Sequence, residues 1–314
     1  MHAGGLPPSM EMSTPPRPLR LALGPLTYYW PRDKTLAFYR EALDWPIDIV
    51  YLGETVCSRR HELRQADWLE LAAAFAAVGK EAVVSTYELI ETDADLRIMR
   101  SVVENGRFIV EANDMGAVKL LAGRGPFVAG PFLNVYNPET LKLLAECGAK
   151  RWVAPVELSA KALREVVEAS PGIETELFTY GRLPLAASAR CFTARYHNLT
   201  KDHCDYRCLL DPEGMLVKTR EGEPFMVLNG VQTQSARVQN LLPWIDGVRA
   251  AGVDVLRLSP QHQGMAEVVA IFAAVARGSI GAPAANASLA QVMPAEACDG
   301  YWHGVAGMKL GVPA

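Results

Sequence analysis

The chain has 314 residues, of which 50% are hydrophobic and 21% charged, so it is long enough for one large domain with a packed core. Its formal net charge is −4, which excludes the basic excess that nucleic-acid-binding proteins use to neutralise phosphates. The longest apolar stretches, such as LELAAAFAAVG and VVAIFAAVARG, are too short to cross a bilayer. We therefore expect a globular protein with no transmembrane segment and no nucleic-acid partner.

The amino-terminal stretch MHAGGLPPSMEMSTPPRP is rich in Pro, Gly, Ser and Met, and predicts a disordered lead-in over residues 1–18. It has no basic segment followed by an apolar one, so it does not have the pattern of a secretory signal. We expect a cytoplasmic protein. In that compartment clustered cysteines are more often metal ligands or redox thiols than disulfides.

From about Leu19 onward, short apolar runs alternate with helical segments. In chain order the runs are RLALGPL, DIVYLGE, EAVVSTY, RFIVEAN, PFVAGPF, RWVAPVEL, ETELFTYG and DVLRLSP. Between them, TLAFYREAL and DWLELAAAFAAVG have apolar residues at the spacing of one helix face. The segment PETLKLLAECGAK begins with Pro138 and ends on Gly148, as helices often do.

Eight strand–helix units predict an α/β fold, a TIM-like (β/α)8 barrel that forms a single domain over residues 19–314. The alternative is an open doubly wound sheet, but the count of eight and the absence of a GxGxxG fingerprint disfavour it. After the seventh strand the spacing widens to about 70 residues. This cysteine-bearing insertion, residues 190–230, contains MLVKTREGEPFMVLNG, which predicts a β-hairpin with Glu221 and Gly222 near its turn.

Four of the six cysteines are placed where they can meet. Cys57 follows the second strand, and Cys191, Cys204 and Cys208 lie in the insertion after the seventh. The segments that follow the strands of such a barrel lie at one face, so all four are expected at the same rim. Four thiolates select zinc or an iron–sulfur cluster over magnesium or calcium. The spacing leaves three interpretations open: an iron–sulfur cluster, a zinc site and unligated cysteines.

Other residues are candidates with a structural alternative. His197 and His203 lie near the cysteines and would complete a zinc site in place of a thiolate. Cys147 and Cys298 are expected to be structural. Three arginines flank the cysteines and would stabilise an anionic cluster or pair with surface acids: Arg59, Arg60 and Arg190. Polar residues that follow apolar runs would line a rim pocket or simply satisfy strand ends: Glu54, Glu111, Asn134, Glu157 and Tyr180.

Several stretches are specific enough to compare with known families. They are GPLTYYWP, IVYLGETVCSRR, VENGRFIVEANDMG, LNVYNPETLKLL, YGRLPLAASARCFTAR and FMVLNGVQT. In them the chain resembles the collagenase-like peptidase superfamily of the YhbU/YhbV type, and within it the UbiV type. Proteins of this type hold a [4Fe–4S] cluster on four cysteines. The resemblance maps these ligands onto Cys57, Cys191, Cys204 and Cys208.

The resemblance also implies a function. UbiV-type proteins form a heterodimer with a UbiU-like homologous protein that supports oxygen-independent hydroxylation of the ubiquinone ring precursor. A UbiT-like lipid-binding protein is a further implied partner. Prephenate, the oxygen donor suggested for related members that hydroxylate RNA bases, is a candidate donor here. Two alternatives stay open: a non-catalytic partner subunit of that heterodimer, and a zinc-dependent hydrolase. The sequence has no GxSxG elbow to support a peptidase, and it singles out no catalytic residue.

Overall fold

The computed structural model describes residues 18–311. Apart from Pro18, the predicted lead-in over residues 1–18 lies outside the described residues. The strands are β1 (Arg20–Leu23), β2 (Ile49–Leu52), β3 (Glu81–Ser85), β4 (Ile109–Ala112), β5 (Phe127–Ala129), β6 (Ala149–Ala154), β7 (Glu174–Ala187), β8 (Met215–Lys218), β9 (Pro224–Asn229), β10 (Gln232–Asn240), β11 (Val255–Leu258) and β12 (Ala297–Cys298). The helices are α1 (Arg32–Ala42), α2 (Gln65–Ala77), α3 (Asp93–Val103), α4 (Met115–Leu121), α5 (Pro138–Glu146), α6 (Ala160–Ala169), α7 (Phe192–Tyr196), α8 (Ile245–Ala250), α9 (Met265–Ala276) and α10 (Ala282–Leu289).

The strands β1 to β7 and β11 form a closed parallel barrel. Each pairs with the next in chain order, and β11 pairs in parallel with both β7 and β1. A helix follows each barrel strand, in the order α1 to α6, α8 and α9. The predicted (β/α)8 barrel is confirmed, and each of the eight predicted apolar runs overlaps one barrel strand. Among residues 18–311, none of the helices combines the length and hydropathy that crossing a bilayer requires.

The residues that predicted the beginning and the end of α5 have the expected roles. The helix begins at Pro138, and the side chain of Asn137 before it accepts a hydrogen bond from the Thr140 backbone N–H at 2.9 Å. It ends before Gly148, whose φ of 111° lies in the region that favours glycine. Local chemistry therefore fixes both ends of this helix.

The strand β7 is longer than ETELFTYG, the apolar run that predicted it. Its first half pairs in parallel with β6 and β11, and its second half pairs antiparallel with β10. The strands β10, β9 and β8 then continue outward as an antiparallel sheet, in which β8 and β9 form the predicted hairpin. The insertion is thus joined to the barrel by a shared strand.

Two buried arginines occupy the barrel interior. Arg257 donates to Glu111 at 2.7 Å and to Glu176 at 2.6 Å. Arg151 donates to Glu174 at 2.5 Å and to Glu81 at 3.0 Å. Buried charges are tolerated only when they are paired and hydrogen-bonded, and here each guanidinium donates to two carboxylates. Apolar side chains from several strands fill the space around these pairs: Ala22, Ile49, Tyr51, Val83, Val128, Val153 and Val255.

We expect Arg257→Met to destabilise the fold by about 3–5 kcal/mol, because it leaves buried Glu111 without its cation and removes the closer of the two cations that face buried Glu176. The measurement is urea unfolding at neutral pH. The matched control is Lys161→Met, which removes an exposed ion pair with Glu165 and should leave stability almost unchanged. Equal, small losses in the two variants would contradict this account of the barrel interior.

Candidate functional site

The four predicted cysteines line one cavity at the end of the barrel where β2 and β7 finish. Cys57 comes from the segment after β2, and Cys191, Cys204 and Cys208 come from the insertion after β7. The space between the side chains is about 20 Å³. Within residues 18–311, no three His, Cys, Asp or Glu side chains are grouped so that they could hold a single metal ion. The four thiols line one cavity, and their role as ligands stays a prediction.

Hydrogen bonds within each segment position the first two cysteines. The backbone N–H groups of Val56 and Cys57 donate to the carboxylate of Glu54 at 3.0 and 3.1 Å, which curls the chain after β2. Cys191 stands directly before α7, and its sulfur accepts a hydrogen bond from the Ala194 backbone N–H at 3.4 Å. Both thiols are therefore fixed by the backbone that carries them.

A left-handed turn places the other two cysteines. Between Cys204 and Cys208, both Asp205 and Tyr206 have positive φ values, 48° and 51°. This conformation costs a residue with a side chain roughly 1–2 kcal/mol, and two in succession are unusual. The Tyr206 ring packs against that of Tyr29, with the ring centroids 6.1 Å apart. The turn reverses the chain so that both sulfurs face the same cavity.

Four cations also line this cavity: Arg59, Arg60, Lys201 and Arg207. Arg60 is the buried one, with 4% of its surface exposed. Its guanidinium donates to the Thr27 carbonyl at 2.6 Å and to the Asn229 side chain at 2.7 Å, and it lies 3.5 Å from the Glu54 carboxylate. Its Nε has no hydrogen-bond partner within the described part of the chain. The cavity therefore combines soft sulfur donors with positive charge.

Burial controls the protonation of two of the thiols. It raises the pKa of Cys57 to about 11, although the positive charge of Arg60 opposes the shift. Burial likewise raises the pKa of Cys208, again against the influence of Arg60. In the metal-free protein both are thiols at neutral pH. A metal that bound there would displace their protons.

The remaining candidates near the cysteines lie elsewhere. Neither His197 nor His203 lines the cavity, and Arg190 is exposed outside it. Cys147 caps the end of α5 and packs against the core, and Cys298 is fully buried in β12. The zinc site completed by a histidine therefore finds no support in the geometry.

The polar residues expected at strand ends separate into three groups. Glu54 stays at the rim beside Cys57. Glu111 points into the barrel toward Arg257, and Tyr180 is buried and donates to Gln261 at 2.6 Å, so both have structural partners. Two are exposed: Asn134 and Glu157.

Glu88 is a buried carboxyl group, under the electrostatic influence of Arg60 and Glu54, that the sequence analysis did not consider. It follows β3, is 9% exposed, and accepts a hydrogen bond from the Gln232 side chain at 2.9 Å. Its other carboxyl oxygen has no partner among residues 18–311. Burial raises the pKa of Glu88 to about 8, so this carboxyl group is protonated at neutral pH. The sequence signal was an acidic residue directly after a buried strand run, EAVVSTYEL.

Comparison with known families identifies the family to which this chain belongs. The family model described as peptidase family U32 matches residues 34–305, which is most of the chain. The chain belongs to peptidase family U32. This membership confirms the resemblance at the level of the family. It does not decide between the UbiV type and other members.

Individual relatives are more distant. The chain is 30% identical over 177 residues to the tRNA hydroxylation protein P of Escherichia coli (strain K12). The match covers 52% of this chain and 38% of that relative, so the chain spans less than half of the relative's length. Among solved structures, the spore cortex-lytic enzyme SleL of Bacillus megaterium QM B1551 has a TM-score of 0.38 at 11% identity, over 81% of this chain and 72% of that one. A truncated 3-deoxy-D-arabino-heptulosonate 7-phosphate synthase of Thermotoga maritima has a TM-score of 0.35 at 12% identity, over 86% and 91%. These structural likenesses are too distant to bear on function.

The raised pKa of Glu88 predicts a pH dependence of stability. The folded state binds the Glu88 proton more tightly than the unfolded state does, so the bound proton stabilises the fold. This stabilisation is fully present below the unfolded pKa and is lost as pH rises toward about 8. As pH rises from about 5 to 8, we expect Glu88 to lower the free energy of unfolding by about 1.4 kcal/mol per pH unit. Glu88→Gln removes this slope, and exposed Glu146→Gln does not. Urea unfolding across that range tests it, and identical slopes for wild type and Glu88→Gln would show that Glu88 does not hold the proton.

Proposed function

We propose that this chain is an iron–sulfur protein of the UbiV type. In this role it acts with a UbiU-like partner in the oxygen-independent hydroxylation of the ubiquinone ring precursor. The observation that carries the proposal is the meeting of Cys57, Cys191, Cys204 and Cys208, from two distant segments, around one cavity. The name of the relative, a hydroxylation protein of another substrate, supports the same class of chemistry.

The four-cysteine donor set suits a [4Fe–4S] cluster, and a zinc ion is the alternative. Four cysteine thiolates ligate either, but a zinc ion draws its four ligands to one point about 2.3 Å from each sulfur. A cluster is larger, and its four ligands stand around it; these four thiols line one cavity. The space is small, so binding would move the exposed turn that carries Cys204 outward. When bound through four thiolates, such a cluster supplies electron transfer and leaves no iron open to substrate.

The surrounding residues suit that role. Arg60 and the other three cations would offset the negative charge of a thiolate-ligated cluster, which favours its more reduced state. Glu54 holds the Cys57 backbone, and the turn at Asp205 and Tyr206 holds the other side. The residues of this chain would thus fix the positions of the four ligands and offset their negative charge.

The proposed partners are a UbiU-like homologous subunit and a UbiT-like lipid-binding protein, with prephenate as the oxygen donor. A partner surface is supported by large apolar side chains exposed on the insertion. They are Tyr196 at 67%, Leu210 at 64%, Leu216 at 46% and Phe225 at 45%. Because these residues flank the cysteine segment, a subunit that covers them would lie close to the proposed cluster.

A second candidate function is hydroxylation of a tRNA base, which the name of the Escherichia coli relative raises. The net charge of −4 makes this chain alone a poor ligand for RNA phosphates. The match also omits most of that relative's length. We therefore rank ring hydroxylation first and treat modified tRNA as a distinct outcome of the test.

We expect protein purified without oxygen to be brown and to contain about four irons and four sulfides per chain. Cys204→Ala should lose the iron, because it removes one ligand of a four-thiolate set. Cys147→Ala, a cysteine outside the cavity, is the matched control and should keep it. Iron and sulfide assays with visible spectra provide the measurement. A colourless wild type that carries zinc would restore the hydrolase alternative.

The biological role is tested in a strain that lacks this chain and grows without oxygen. We expect its ubiquinone to fall to the background level and a less hydroxylated ring precursor to accumulate. Wild type and Cys147→Ala should restore ubiquinone, and Cys204→Ala should not. Quinone extracts and tRNA nucleosides are measured by mass spectrometry from the same cultures. Normal ubiquinone with a missing hydroxylated nucleoside would favour the second function.

A further inference from the structure

A second cavity borders the cysteine cavity. It lies between the ends of β2 and β3 and the helices α2 and α3, and has a volume of about 210 Å³. Exposed His61 and Arg64 form part of its wall, so it reaches the surface there. Cavities at this end of a (β/α)8 barrel are where substrates bind. Neither the family membership nor the proposed cluster assigns it a ligand.

The walls and the volume fit a single ring. The side chains of Trp68, Leu63, Met99 and Val102 make most of the lining apolar. A cavity of about 150 Å³ holds benzene, so this one has room for a ring and a few substituents. A cavity on the barrel axis, beside Arg257, measures about 50 Å³ and is too small for one. Of these two cavities, the one between α2 and α3 has the room for an aromatic ring. A third cavity, beside His262, is larger, at about 600 Å³, but its lining is more polar.

One end of the cavity is polar and complements a hydroxyl group. Glu54 supplies a carboxylate that can accept a hydrogen bond, and Arg60 supplies a guanidinium that can donate one. A phenolic hydroxyl donates one hydrogen bond and accepts another, which is the pairing that these two side chains offer. A phenolate would face the Glu54 carboxylate. The neutral phenol is therefore favoured.

The polar end adjoins the proposed cluster. Arg60 lines both cavities, and Glu54 accepts a hydrogen bond from the Cys57 backbone N–H at 3.1 Å. A ring held here would lie one side chain away from the cysteine cavity.

We propose that the cavity between α2 and α3 binds a phenolic ring, with its hydroxyl at Glu54 and Arg60 and its ring against Trp68 and Met99. The identification of this ring with the one that is hydroxylated rests on the proposed function. The binding itself rests on the volume, the apolar walls and the polar end of the cavity.

The test is equilibrium dialysis of anaerobically purified protein against phenol and, separately, benzene. Wild type should bind about one phenol per chain. It should bind phenol about 10-fold more tightly than benzene, because one hydrogen bond to a charged group strengthens binding by about this factor. Met99→Trp fills the cavity and should weaken phenol binding at least about 10-fold. Met115→Trp makes the same change on the exposed surface of α4 and should leave binding unchanged. Glu54→Gln should reduce the preference for phenol over benzene.

Several results would overturn the inference: no phenol binding by wild type, equal binding of phenol and benzene, or unchanged binding by Met99→Trp. If Met99→Trp does not fold, Val102→Phe narrows the same cavity from the same helix and carries the test. Iron is assayed in every sample. Wild type with iron but no phenol binding overturns this inference alone, and wild type with phenol binding but no iron overturns the proposed cluster alone.

Discussion

The buried guanidinium of Arg60 is the contact on which the candidate site depends. It donates to the Thr27 carbonyl after β1 and to Asn229 at the end of β9, and it lies beside the Glu54 carboxylate after β2. One side chain thus joins three segments that are far apart in sequence. A buried cation without these acceptors would be costly, so the segments must stay together for the fold to tolerate it. The cysteine cavity and the ring-sized cavity share this residue as a wall.

The barrel provides the rigid frame for this contact. Its interior is filled by paired charges around Arg151 and Arg257, which tie strands on opposite sides of the barrel together. The strand β7 belongs to both the barrel and the outer sheet, so the insertion cannot turn away from the rim. Cys57 and the three cysteines of the insertion are therefore held on one face by the architecture. The left-handed turn between Cys204 and Cys208 then brings both of these sulfurs to the same cavity.

The sequence was sufficient for the barrel because each apolar run and each helix boundary is a local signal. The convergence of the cysteines also followed, since barrel topology places the ends of β2 and β7 at one face. The rest depended on tertiary contacts. The extension of β7 to Ala187 arises from pairing with β10, and nothing in ETELFTYG alone indicates it. Arg60 could be noticed as a flanking cation but not as a buried one, and Glu88 acquires its proton only from its burial and sparse hydrogen bonding. The cavity between α2 and α3 is a property of how two helices pack.

The most direct test of the central claim is an anomalous difference map at the iron edge, from crystals grown without oxygen. The account predicts iron density in the cavity, in contact with the sulfurs of Cys57, Cys191, Cys204 and Cys208, with the turn between Cys204 and Cys208 moved outward around it. Anomalous density for a single zinc ion on these residues would contradict it. So would disulfides between the same cysteines with no iron signal, since that would give them a redox role of their own.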